Sequence, residues 1–169
     1  MTALALARIA DVVEIARMSR DLVENGLRWS WTSKRVAASV RRRDALVVVA
    51  RDAAERIAGF AIMRYGDDDA HLDLLAVRPD ARRRGLGVGL MRWLETPALV
   101  AGISAVFLEV REANHGARAF YERLGYRTLA RLPGYYQGHE AALRMGRELG
   151  EQHAEHPVFE LRMPWEERR

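Results

Sequence analysis

Three consecutive arginines, Arg82, Arg83 and Arg84, run directly into glycines at 85, 87 and 89. Bare glycines at 85 and 87 let peptide N–H groups approach oxygen atoms that a Cβ would hold away, and arginines before them add charge-assisted donors. With a strand before the turn and a helix after it, unpaired amides and a positive dipole end would converge on one point, a geometry that binds phosphate. Further along, two residues could move protons. Glu109 is the one acid inside the apolar run AVFLEVR, and Tyr121 lies in NHGARAFYERLGY. A carboxylate in such a strand is costly to bury unless it is paired, for example with Arg111, or in use. Asn114, Ala117, Arg118 and Tyr121 fall on one face of a helix. A phenol there can serve the core or donate a proton into a cleft beside it.

The type of phosphate ligand is narrowed by what is missing. No GxxxxGK[ST] loop occurs, which excludes the usual triphosphate cradle. A dinucleotide fingerprint requires GxGxxG at a strand tip. Here the glycines read GxGxG, and seven residues separate Gly85 from Val77, so an oxidoreductase reading is weak. No Gly-x-Ser-x-Gly elbow is present, and the chain has no cysteine, so neither nucleophile of that kind is available. His71, His115, His139, His153 and His156 form no familiar ligand spacing, and no metal site is expected.

Hydrophobic periodicity then supplies the elements that would carry these groups. Strands are expected at 3–9, 44–52, 56–65, 70–79 and 105–112, with two more in YRTLARL and EAALRMGREL. Asp11 is expected to cap a helix bearing Val12, Ile15, Ala16, Leu22 and Val23, and Thr32 to cap SKRVAASVRRR. NGLRWSWT (25–32) reads as a turn. A helix from Gly85 to about Thr96 places Leu86, Leu90, Trp93 and Leu94 together, and a second runs over 114–126 between a capping Asn114 and a terminating Gly125. The order β-α-α-β-β-β-α-β-α-β-β implies an α/β fold, or α+β with a mixed sheet, whose 70–111 crossover joins parallel strands.

At these two motifs the chain resembles the GCN5-related N-acetyltransferase family. LLAVRPDARRRGLGVGLM fills the family's [QR]-x-x-G-x-[GA] signature with Arg82, Gly85 and Gly87. LEVREANHGARAFYERLGYR fills N-x-x-A-x-x-[FL]-Y-x-x-x-G-[FY] with Asn114, Ala117, Phe120, Tyr121, Gly125 and Tyr126. The clear matches span about residues 69–147. The resemblance implies a mixed sheet of about seven strands and acetyl-CoA as acetyl donor. Backbone of Leu75, Ala76 and Val77 would hold the pantetheine arm. The segment Arg83, Arg84, Gly85, Leu86, Gly87 and Val88, with Arg82 before it, would hold the pyrophosphate, and Asn114, Ala117 and Tyr121 would complete the donor site. It further implies Tyr121 as the acid that protonates the departing thiolate, and a splay of the two parallel strands around the thioester. The similarity is greatest to the branch that acetylates protein N-termini, including the ribosomal-protein alanine acetyltransferases. There the glutamate of LEVR, here Glu109, is the general base, directly or through water, and late-loop tyrosines, here Tyr135 and Tyr136 of GYY, shape the acceptor site. The segment NGLRWSWT has no counterpart in that branch.

Composition sets the remaining bounds. The 169 residues suffice for one domain with a core, expected over 1–148, with 149–169 as an extension or tail. The net charge of +4 rests on arginine, Lys34 being the only lysine; the basic residues are not interleaved with aromatics as a nucleic-acid surface would require. No apolar run reaches the roughly 20 residues of a membrane span, and the early Asp11 disfavours a secretory leader. The expectation is a cytoplasmic monomer or homodimer, without nucleic-acid or membrane partners, that transfers acetyl directly to a peptide N-terminus or small amine. A non-catalytic acyl-CoA-binding module is the alternative.

Overall fold

In the computed structural model, which describes residues 2–150, a single seven-stranded sheet carries the chemistry-bearing segments. Along the chain the strands are β1 (Ala3–Leu6), β2 (Ala45–Arg51), β3 (Ile57–Tyr65), β4 (Asp69–Val77), β5 (Ala105–Arg111), β6 (Arg127–Tyr136) and β7 (Glu140–Glu148). The helices are α1 (Val12–Met18), α2 (Ser33–Arg41), α3 (Leu86–Val100) and α4 (His115–Arg123). The spatial order is β1-β2-β3-β4-β5-β7-β6, antiparallel throughout except for β4 beside β5. The parallel crossover at 70–111 is therefore present, with α3 as its connecting helix.

Strands β2 and β3 read as unbroken apolar runs because both of their faces are covered. Val47, Val49, Phe60 and Ile62 pack with Ile15, Ala16 and Val36 of α1 and α2. Val48, Ala50, Ala61 and Met63 face the opposite layer, with Leu90, Met91 and Leu94 of α3 and Tyr121 of α4. Period-two alternation thus divides one sheet between two cores.

Local capping departs from the sequence reading in two places. Asp11 does not cap α1. Its carboxylate accepts the Arg8 N–H at 2.7 Å and pairs with the half-buried Arg51 guanidinium at 2.8 Å, so its acid closes a turn and an ion pair instead. Thr32 occupies the expected cap position of α2 but makes no side-chain cap bond. Asn114 does cap α4, its Oδ1 accepting the Ala117 N–H at 3.1 Å. Helix α3 also continues through Pro97 to Val100 rather than ending near Thr96. Its last turn is fixed by the buried Ala98, whose carbonyl accepts the Ile103 N–H.

Candidate active site

The parallel ladder between β4 and β5 is short. It pairs Asp69–Leu72 with Ala105–Leu108 and then stops. Where it stops, β4 bulges. Met63 lies opposite Leu72 and Ile62 opposite Leu74, so Asp73 is an extra residue with no partner on β3. A bulge bends its strand and disrupts pairing. Beyond it, Leu74–Val77 stay paired to β3, and Glu109–Arg111 stay paired to β7. A cavity of about 600 Å³ occupies the gap, with Leu75, Glu109, Asn114, Ala117, Tyr121, Tyr135 and Tyr136 among its walls. Seven predicted site residues are thereby brought together. Ala76 and Val77 continue the free strand edge past the cavity, and Arg82 to Val88 form the turn beyond it.

That turn is built for exposed amides. Arg83 and Gly85 both take positive φ, at 63° and 79°. The first helical hydrogen bond of α3 runs from Gly89 N–H to the Gly85 carbonyl at 2.9 Å, so the amides of Leu86, Gly87 and Val88 have no acceptor within the helix. The arginines divide by role. Arg83 and Arg84 are exposed, whereas Arg82 donates from Nε to the Val77 carbonyl at 3.0 Å and ties the strand end to the turn. The glycines divide as well. Gly85 is required by its backbone angle, with open space where a Cβ would stand. Gly87 is required because a Cβ would lie 3.0 Å from the Phe120 ring of α4. Helix packing thus adds a second reason for a bare Gly87.

Glu109 sits in a charged chain that crosses four strands. Its Oε2 lies 2.5 Å from His71 Nε2, and its Oε1 accepts from Arg144 Nε at 2.9 Å. On the other side of the imidazole, His71 Nδ1 is 2.8 Å from Asp73 Oδ1, and Asp73 takes two bonds from Arg64 at 2.6 and 2.7 Å. The partner suggested by sequence, Arg111, instead forks onto Glu140 and donates to the Asn25 carbonyl at 2.6 Å. The hydrogen bond from His71 holds the Glu109 carboxyl below its ordinary value, with Arg144 adding to the effect. Burial opposes ionisation of Asp73, but His71 and Arg64 overcome it and hold it low as well. The two carboxylates, Asp73 first, push His71 up to about 9. The five histidines form no familiar ligand spacing, so spacing alone assigns His71 no role. In the parallel ladder His71 faces Phe107, and Asp73 and Glu109, each two residues further along its strand, lie on the same face.

Tyr121 projects from α4 at 7% exposure, its ring edge-on to Phe120 at 5.1 Å and to Tyr126 at 5.7 Å. Burial pushes its phenol well above the ordinary value, so it keeps its proton. Tyr135 and Tyr136 are not in a free loop, as the sequence suggested, but at the end of β6. Pro133 and Gly134 interrupt the ladder between Leu132 and Tyr136, and the two rings meet edge to face at 5.0 Å. Burial raises Tyr136 to about 12.

The opposite wall comes from the segment the sequence left unmatched. After α1 the backbone widens into a π-type turn, Ser19–Val23, in which the Glu24 N–H reaches the Ser19 carbonyl. Glu24, 8% exposed, then accepts from Ser30 N–H at 2.8 Å, Ser30 Oγ at 2.5 Å and Trp31 N–H at 3.1 Å. One buried carboxylate thus gathers the 24–31 loop. Trp29 and Trp31 are presented from it to the cavity, Trp31 under the Arg35 guanidinium at 3.8 Å. The Gln137 amide closes toward the Arg28 carbonyl at 3.5 Å.

A parallel pair that splays at a bulge, followed by a glycine turn into a helix, also distinguishes a known family. The model of the acetyltransferase (GNAT) family matches residues 13–126. The chain belongs to that family. Its GNAT fold is shared with the ribosomal-protein-S18-alanine N-acetyltransferase of Escherichia coli, with TM-score 0.76, 26% identity, and 94% of this chain and 100% of that one covered. It is shared equally with Ard1 from Thermoplasma volcanium, with TM-score 0.78, 25% identity, and coverage of 89% and 99%. In sequence, 94 residues are 42% identical to the [ribosomal protein bS18]-alanine N-acetyltransferase of Salmonella typhimurium, covering 54% of this chain and 64% of that relative. The alignment thus spans less than two thirds of the relative's length. Among the described residues, no helix of this GNAT chain is long and apolar enough to cross a membrane, and no group of His, Asp and Glu is arranged to hold a metal. The expected 149–169 extension lies, from residue 151 on, outside the described residues.

Proposed function

We propose that this protein transfers the acetyl group of acetyl-CoA directly to a primary amine, with a peptide N-terminus as the favoured acceptor. The observation that carries the reading is the single cavity wall shared by Glu109 and Tyr121, at the splay of β4 from β5 and downstream of the Arg83–Val88 amides. The amides and Arg83 and Arg84 bind the CoA diphosphate, and the free edge over Leu75–Val77 receives the pantetheine arm. The amine nitrogen attacks the thioester carbonyl, the C–N bond forms and the C–S bond breaks. Glu109 receives the amine's proton, directly or through water, while Tyr121 gives its proton to the departing thiolate. The likeness to relatives named as acting on a ribosomal-protein alanine supports a peptide acceptor. The aromatic wall of Trp29, Tyr135 and Tyr136 suits an extended chain.

Calorimetry with acetyl-CoA, followed by a CoA-release assay against Ala-initiated peptides, polyamines and amino acids, tests this. Micromolar binding and turnover on a peptide are expected. Binding without CoA release on any amine would leave only a non-catalytic acyl-CoA module, and no heat up to millimolar CoA would remove the donor site altogether.

Glu24 offers a separate check on the acceptor wall. Glu24→Ala strands the buried Trp31 amide and releases the Ser30 amide and the Ser19 and Ser30 hydroxyls, a loss of about 1–3 kcal/mol. Steady-state kinetics should show the acceptor KM rising severalfold while the acetyl-CoA Kd stays near wild type. A changed acetyl-CoA Kd with an unchanged acceptor KM would contradict the assignment of this loop.

A further inference from the structure

The arginines that line the cavity are unevenly matched. Arg64 forks onto Asp73, and Arg111 onto Glu140. Arg28 and Arg35 line the same cavity and are exposed, and among the described residues neither guanidinium meets a carboxylate. Arg35 is nonetheless held in place. Its guanidinium lies over the Trp31 ring at 3.8 Å and donates from Nη1 to Ser30 Oγ at 3.3 Å. Ser30 donates in turn to Glu24 at 2.5 Å, and Trp31 is buried, so the platform beneath Arg35 is fixed. A guanidinium stacked on one face keeps its remaining N–H groups in a plane that fits a carboxylate fork. Arg28 is steadied through its carbonyl, which the Gln137 amide approaches at 3.5 Å. The wider charge balance has the same sign. With His71 held charged up to about 9, five cations line the cavity against three acids, Glu24, Asp73 and Glu109. A cleft lined by an excess of one charge concentrates its field on whatever enters.

We propose that Arg35 and Arg28 form a carboxylate subsite on the acceptor wall, which selects peptides bearing an acidic side chain close behind the N-terminal residue. This rests on the acetyl-transfer reading and narrows its acceptor class. The amine enters toward Glu109, and the chain leaves past Trp29 and Tyr135, the part-exposed aromatics of the same cavity, so its next side chains run along the 28–35 wall. Arg28 and the Trp31 platform belong to NGLRWSWT, which has no counterpart in the branch that the chain resembles. The preference therefore does not follow from likeness to that branch. A side chain bound at a distance from the reacting atoms is held equally in ground and transition states, so the preference falls on KM and not on kcat.

The test is a panel of C-terminally amidated, Ala-initiated peptides with Glu, Gln or Lys at position 2, 3 or 4. Each is assayed for CoA release and, with CoA bound to the protein, for peptide binding by calorimetry. At one of these positions kcat/KM should fall in the order Glu, Gln, Lys. The Glu peptide should exceed the Lys peptide about tenfold or more, through KM, and less so as salt is raised. Arg35→Gln should shrink that ratio severalfold, and Arg35→Gln with Arg28→Gln should bring it to about one. Arg35→Glu should favour the Lys peptide. Each comparison is a ratio within one variant, so it does not depend on how much of that variant folds, and the acetyl-CoA Kd should stay near wild type throughout. No order by charge at any position, or a ratio unchanged in the double variant, overturns the proposal. Faster turnover of free glutamate than of every amidated peptide would put the carboxylate on a small acceptor and overturn the peptide assignment. If no peptide yields CoA but binding keeps the order Glu, Gln, Lys, the acetyl-transfer reading fails and the carboxylate subsite stands.

Discussion

Tyr121→Phe is expected to lower kcat by about 10²-fold or more while the KM for acetyl-CoA changes less than about threefold. The substitution removes one oxygen and keeps the ring, so the edge-on contacts with Phe120 and Tyr126 persist and stability should hardly move. What is lost is the proton. In wild type the buried phenol stays protonated throughout the working range, which suits a group that protonates a thiolate only as the C–S bond breaks. That interaction exists in the transition state and not in the bound donor, so its removal falls on kcat. Full turnover by Tyr121→Phe would remove the acid assignment, and a proportional rise in acetyl-CoA KM would recast Tyr121 as a wall of the donor site.

The order of elements and the parallel crossover were legible because they depend on runs of residues, and such runs average over local detail. LVVVA and IAGFAIM read as strands and GLGVGLMRWLE as a helix start. Single-residue roles were less legible. Asp11 has the side chain of a cap, but Arg51, forty positions away, claims it. Glu109 was visible as an anomaly in an apolar strand, yet its partners lie on other strands: Arg144 is its register partner on β7, and His71 stands on β4 opposite Phe107. Register between strands far apart in sequence is not written in a one-dimensional pattern. The acceptor wall was hidden for the same reason. Ser30, Trp31 and Ser19 read as loop polarity and aromatic content until one buried carboxylate, Glu24, is seen to bond all three.

The largest effect on stability should come from Glu95, which the helical pattern of α3 marks as one more core-facing position but which carries a charge. At 1% exposure its oxygens accept from the Tyr126 hydroxyl at 2.7 Å and from Arg147 at 3.0 Å, and Arg147 also donates to the Leu124 carbonyl at 2.7 Å. Three elements meet there: α3, the end of α4 and β7. Removing the acid leaves a guanidinium and a phenol in a dry site, and losing one member of a buried ion pair costs about 3–5 kcal/mol. At roughly 2–4 °C per kcal/mol for a chain of this size, Glu95→Ala should melt about 10 °C or more below wild type. Glu95→Leu combined with Arg147→Met should recover much of that loss, since an apolar pair removes both charges together. Thermal and denaturant melts of the two variants decide the matter. A double variant no better than Glu95→Ala would show that packing, rather than the orphaned charge, sets the cost. Activity adds a second readout. Tyr126 leans on the Tyr121 ring, so a double variant that melts normally but leaves the Tyr126 hydroxyl unpartnered should still turn over more slowly, which would tie the staple beneath α4 to the aim of the acid above it.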